Sequence, residues 1–170
     1  MTDLNLIWCH GSLSQPWGAK SKSLADIAQT QGLTMDAPDF QDLEDPDQRV
    51  DRLVAKLKDS DTPVILVGSS MGGYVASAAA RQLDVRGLFL LAPAFYLPGY
   101  DTHVFSGLPQ CITVIHGWND DVVPAENSTR FAKLHKAALH ILPDDHRLSN
   151  SLDDMGLLFG HFLQTIKAQG

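Results

Sequence analysis

Short apolar runs alternate with amphipathic stretches from one end of this 170-residue chain to the other. The runs fall at residues 4–8, 33–37, 64–67, 88–91, 112–115 and 139–142, each flanked by Gly, Pro or Asp. Runs this short are buried strands, and the stretches between them are long enough for helices. Val50, Leu53, Val54 and Leu57 follow the i, i+3, i+4, i+7 rule, and Met155, Leu158, Phe159, Phe162 and Ile166 carry a second stripe. Leu24, Ile27 and Ala28 mark another helix. Right-handed crossovers then make the sheet mainly parallel, with helices on both faces. The expected fold class is α/β: one domain, a three-layer α/β/α sandwich with about six strands.

Thirteen Lys and Arg against twenty Asp and Glu give a formal charge of -7, the wrong sign for binding nucleic acid or an anionic membrane. The longest apolar stretch, residues 88–97, is interrupted by Pro93 and falls short of the roughly 18 residues of a membrane span. Asp3 stands where a secretory signal would carry basic residues. Cys9 and Cys111 lack CxxC or metal-type spacing, so buried free thiols in a reducing, cytoplasmic setting are expected.

The chemistry is concentrated after the third run. Residues 64–67 lead directly into Gly68-Ser69-Ser70-Met71-Gly72, and an Ala-rich stretch to Gln82 follows. This is G-x-S-x-G between a strand and a helix. Such a turn projects its central hydroxyl, here that of Ser70, above the sheet, and small neighbours let helix and strand approach. A phosphate-binding loop is excluded because it needs a Lys after its second Gly.

With this elbow, Trp8-Cys9-His10-Gly11-Ser12 after the first run, the stretch from His116-Gly117 to Val123-Pro124 after the fifth, and Asp145-His146 after the sixth, the chain resembles the α/β-hydrolase superfamily. It is most similar to the small, lidless bacterial serine esterases. The resemblance covers nearly the whole chain and implies a minimal form of the fold, with no cap domain and without the family's amino-terminal edge hairpin. It also implies the chain order Ser, then Asp or Glu, then His. Ser70 is then the nucleophile and His146 the general base, because His161 falls within the last helical stripe and the other histidines precede the acid or lie in turns and strands. The H-G-x-x-D frame places the acid at Asp120, with Asp121 the rival one residue on. The resemblance takes the oxyanion donors to be the backbone N–H groups of Ser12 and Met71.

The expected activity is carboxylesterase- or thioesterase-type hydrolysis of a small acyl substrate, without cofactor or metal. Amide or carbon-carbon bond cleavage on the same triad, or a binding protein that keeps only the fold, are the alternatives. Phe95, Tyr96, Leu97, Tyr100, His103 and Phe105, between the fourth and fifth runs, suit either an acyl pocket or a cover for the core. Asp36, Asp39, Asp42, Glu44, Asp45 and Asp47 suit helix-start acids, or a field repelling anions from that side.

Overall fold

The computed structural model describes residues 3–170. Six strands form one parallel sheet: β1 (Asn5–Cys9), β2 (Met35–Asp36), β3 (Val64–Ser69), β4 (Val85–Leu91), β5 (Cys111–Gly117) and β6 (Ala138–Leu142). Their order is β2-β1-β3-β4-β5-β6, so the chain reverses its direction of winding between β1 and β3. In open α/β sheets the crevice beyond the strand ends at such a reversal is where ligands bind. All five strand pairs are parallel. The helices are α1 (Ala19–Thr30), α2 (Pro46–Leu57), α3 (Met71–Ala80), α4 (Ala125–His135) and α5 (Leu152–Gln169).

Strand side chains alternate between two cores. Leu6 and Trp8 of β1 join the core formed with α1 and α5, which holds Leu24, Ala28, Met155, Phe159 and Phe162. Ile7 and Cys9 join the opposite core with α2, α3 and α4, around Leu53, Tyr74, Phe95 and Phe131. The stripe Val50, Leu53 and Leu57 is buried as its spacing predicts, and α2 begins on a clear signal: the Asp45 side chain accepts the N–H groups of Asp47 and Gln48, with Pro46 at the first turn. Every residue of the Ala-rich α3 is buried. Small side chains let it run close beneath the sheet.

The predicted second strand shrinks to two residues, because β2 is an edge strand paired only with β1. The aromatic segment between β4 and β5 resolves in favour of the core. Phe95 and Phe105 are buried, and Phe95 stacks on Phe131 at 4.2 Å between ring centroids. The segment is fastened by Tyr74, whose hydroxyl donates to Asp47 and accepts the Thr102 N–H at 2.8 Å. Among the described residues no helix is long and apolar enough to cross a membrane.

Candidate active site

The turn from β3 into α3 holds Ser70 at φ 54°, ψ -119°, in the left-handed half of backbone space. Such a residue carries a strain of about 1–3 kcal/mol, which its surroundings must enforce. Here the surroundings are backbone: the Ser70 N–H donates to Leu91 O, and the Ser70 carbonyl accepts from Gly73 and Ala94. The flanking glycines are required by close approach. A Cβ on Gly68 would lie 2.2 Å from Gly72 O, and one on Gly72 would lie 1.9 Å from Cys9 O.

The strand ends bring three side chains together. Ser70 Oγ lies 3.0 Å from His146 Nε2, and His146 Nδ1 lies 2.7 Å from Asp120 Oδ2. A neutral imidazole with its proton on Nδ1 donates to the carboxylate and leaves Nε2 to accept the serine proton. The Asp120 side chain is fully covered and that of His146 is 19% exposed. Burial pushes the Asp120 carboxyl upward, but the bond to His146 and the Val123 and Val122 N–H groups outweigh it, so its pKa lies below the ordinary value. Asp121 is exposed and outside this chain of contacts. Asp144 acts as a turn former before α5, accepting from Ser151 Oγ at 2.7 Å and from Asn150 N–H at 3.0 Å.

Two residues in the surroundings escaped the sequence reading. His116, expected only as part of a turn, has its Nε2 2.9 Å from the same Asp120 oxygen that His146 holds. That nitrogen carries the proton, because its other neighbour, at 2.8 Å, is the Val123 carbonyl; Nδ1 then accepts from Ser128 Oγ at 2.7 Å. Burial holds the His116 pKa down, consistent with a neutral ring.

Arg49, buried on α2, donates to Leu43 O at 2.7 Å, to Gly11 O at 3.1 Å, to Ser12 O at 3.1 Å and to His10 O at 3.3 Å. Its fork thus holds three successive carbonyls of the loop after β1. Across a trans peptide the N–H points opposite to the carbonyl, so fixing Gly11 O toward Arg49 turns the Ser12 N–H away from it. An ideal Cβ on Gly11 would sit 3.9 Å from Ser70 Cβ, which puts this loop beside the elbow. Neither the Ser12 nor the Met71 amide has a hydrogen-bond partner among the described residues.

A recess of about 500 Å³ opens at this point, lined among others by Trp8, Ser12, Leu13, Ser70 and His146. That volume suits a small molecule. Among the described residues no group of His, Cys, Asp and Glu is arranged to hold a metal ion.

The profile of the Alpha/beta hydrolase family matches residues 6–162. The chain belongs to that family. It is similar, at 30% identity and TM-score 0.87, to a Xanthomonas campestris protein of the alpha/beta hydrolase superfamily, with 95% of this chain and 98% of that one covered. Est1E of Butyrivibrio proteoclasticus shares the fold at 19% identity and TM-score 0.77, covering 98% of this chain and 89% of its own. An esterase of Pyrococcus furiosus does so at 17% identity and TM-score 0.78, covering 96% and 83%. No curated protein matches the sequence.

Proposed function

We propose that the chain is a serine hydrolase that cleaves ester or thioester bonds of small acyl substrates through an acyl-enzyme on Ser70. The carrying observation is the unbroken relay from Ser70 Oγ through His146 to Asp120, at 3.0 Å and 2.7 Å. His146 Nε2 takes the hydroxyl proton as Oγ attacks the carbonyl carbon, and Asp120 stabilises the imidazolium that results. The negative charge moves to the carbonyl oxygen, toward the Ser12 and Met71 N–H groups, and each such donor is typically worth about 3 kcal/mol of barrier. Collapse breaks the bond to the leaving oxygen or sulfur, which receives the proton from Nε2. Water, activated by the same nitrogen, then releases the acid and restores Ser70.

Mixing the protein with para-nitrophenyl acetate under rapid-quench conditions tests this reading. A burst of nitrophenol stoichiometric with protein, with an acetyl adduct mapping to Ser70, is expected. Linear release without a burst, together with no adduct on Ser70, would contradict it.

A further inference from the structure

The wall of the recess beside Ser70 is charged in the opposite sense to the rest of the molecule. Acids outnumber bases twenty to thirteen in the chain, yet no Asp or Glu lines this recess among the described residues, whereas Lys20 and Arg147 both do. Several of the crowded acids from β2 into α2 are engaged elsewhere. Asp42 pairs with Arg52 at 2.6 Å, Asp45 caps α2, and Asp47 holds Tyr74. The acids nearest the cations keep their charge but do not line the recess, and their oxygens are engaged in hydrogen bonds. Asp120 belongs to the relay, Asp144 accepts from Ser151 and Asn150, and Asp145 accepts the Arg147 N–H at 2.9 Å.

Neither cation is held in a direct ion pair among the described residues. Lys20, in the first turn of α1, donates to Ser69 Oγ at 3.1 Å, one residue before the nucleophile, and makes no ion pair among the described residues. The Arg147 side chain, directly after the general base in sequence, has neither an ion pair nor a hydrogen bond among them. Burial and then the nearby Arg147 charge lower the Lys20 pKa, against a smaller pull from Asp145, Asp120 and Asp144, so an anion seated between the two cations would relieve their mutual repulsion. Trp8 also lines the recess; it is buried, and its indole N–H has no partner.

We propose that Lys20 and Arg147 seat an oxyacid group, carboxylate or phosphate, carried by the substrate itself, so that the enzyme selects anionic esters or thioesters over neutral ones. This rests on the serine-hydrolase reading and adds the substrate class. The guanidinium supplies a planar fork and the ammonium a point charge, a pairing suited to either oxyanion. Fixing the anion at the recess wall places the scissile carbonyl relative to Ser70 without an enclosing lid.

The test is a set of matched esters. Para-nitrophenyl hydrogen adipate against its neutral methyl ester probes a carboxylate on the acyl side. Para-acetoxybenzoate against its methyl ester probes one on the alcohol side, and para-acetoxyphenyl phosphate replaces that carboxylate by phosphate. For at least one anionic member, kcat/KM should exceed that of its neutral partner about tenfold, mostly through KM. That ratio should fall about three- to tenfold in Lys20→Met and in Arg147→Met, and further in the double variant. Arg86→Met, at the start of β4 and thus at the far end of the sheet, should leave the ratio unaltered. Ratios at or below one in every pair, or ratios unmoved by both substitutions, would overturn the proposal. If no ester is turned over and a neutral fluorophosphonate leaves Ser70 unlabelled, the serine-hydrolase reading fails by itself. The anion site is then decided by calorimetry with adipate and with inorganic phosphate: binding lost in the double variant keeps it, and no binding to the unaltered protein removes it.

Discussion

The carboxylate of Asp120 is shared by two histidines through one oxygen: His116 Nε2 lies 2.9 Å from the Oδ2 that His146 Nδ1 approaches at 2.7 Å. The two rings do different work. His146 reaches Ser70, whereas His116 is fully buried, fixed at its other nitrogen by Ser128, and cannot touch substrate. In the proposed mechanism it is a positioning residue, holding Asp120 in the orientation that His146 requires as base.

Substituting His116 by Leu removes a buried donor beside a carboxylate. A hydrogen bond to a charged group contributes about 1.5–3 kcal/mol, so kcat is expected to fall at least tenfold with KM little changed. Because loosening of the core around β5 by Leu would also lower kcat, the telling comparison is His116→Gln, whose amide can still donate: partial recovery of kcat at unchanged thermal stability marks positioning. Equal losses in both variants, tracking stability, would mark a merely structural role.

Asp120→Asn should lower kcat on the order of 10⁴, because the amide no longer selects the Nδ1–H tautomer of His146. Asp121→Asn, on an exposed side chain outside the relay, should stay within about twofold. Steady-state kinetics on both variants with one ester decides between the adjacent acids.

Arg49 makes a prediction about the loop rather than the triad. Lys in its place keeps the charge but not the fork that serves Gly11, Ser12 and His10 carbonyls together. Arg49→Lys is therefore expected to lower kcat by about 10²–10³, the loss typical of one missing oxyanion donor, while the rate of Ser70 labelling by a small phosphonate falls in parallel. Wild-type kcat in Arg49→Lys would show that the loop holds its shape unaided.

Stability should decline in mild acid because of His10. Burial lowers its pKa beneath the ordinary 6.5, and its Nε2 accepts the Phe40 N–H at 2.9 Å, a bond that protonation breaks. A histidine whose folded pKa is depressed takes its proton first in the unfolded chain. Stability is thus complete above about pH 6.5 and is lost as pH falls toward the folded value, with a slope of up to about 1.4 kcal/mol per pH unit. His116, lowered in the same way, adds to that slope. Denaturant titrations between about pH 7.5 and 5 should show it, reduced in His10→Asn; a flat profile would contradict the assignment.

The fold was legible wherever a signal was local. The apolar run at 64–67, the glycines of the elbow and the alanines after it occupy consecutive positions, and the structure places β3, Ser70 and α3 there in turn. Helix α4 shows no clear apolar stripe in the sequence, because its buried face includes Ser128, a polar residue that faces inward to meet His116. Arg49 was hidden for the opposite reason. A charged residue on an amphipathic helix reads as solvated, and nothing near it in sequence announces that the carbonyls of residues 10–12 lie across from it. The recess charge was also out of reach, since Lys20 and Arg147 are 127 positions apart and meet only because α1 and the loop after β6 converge on one end of the sheet.

Whether Ser70 is activated is read most directly by labelling with a fluorophosphonate, followed by intact mass and peptide mapping with Ser70→Ala alongside. One adduct per chain is expected, confined to Ser70, absent from Ser70→Ala and strongly slowed in His146→Ala. Folded protein that stays unlabelled, or that is labelled equally well without Ser70, would contradict an activated Ser70.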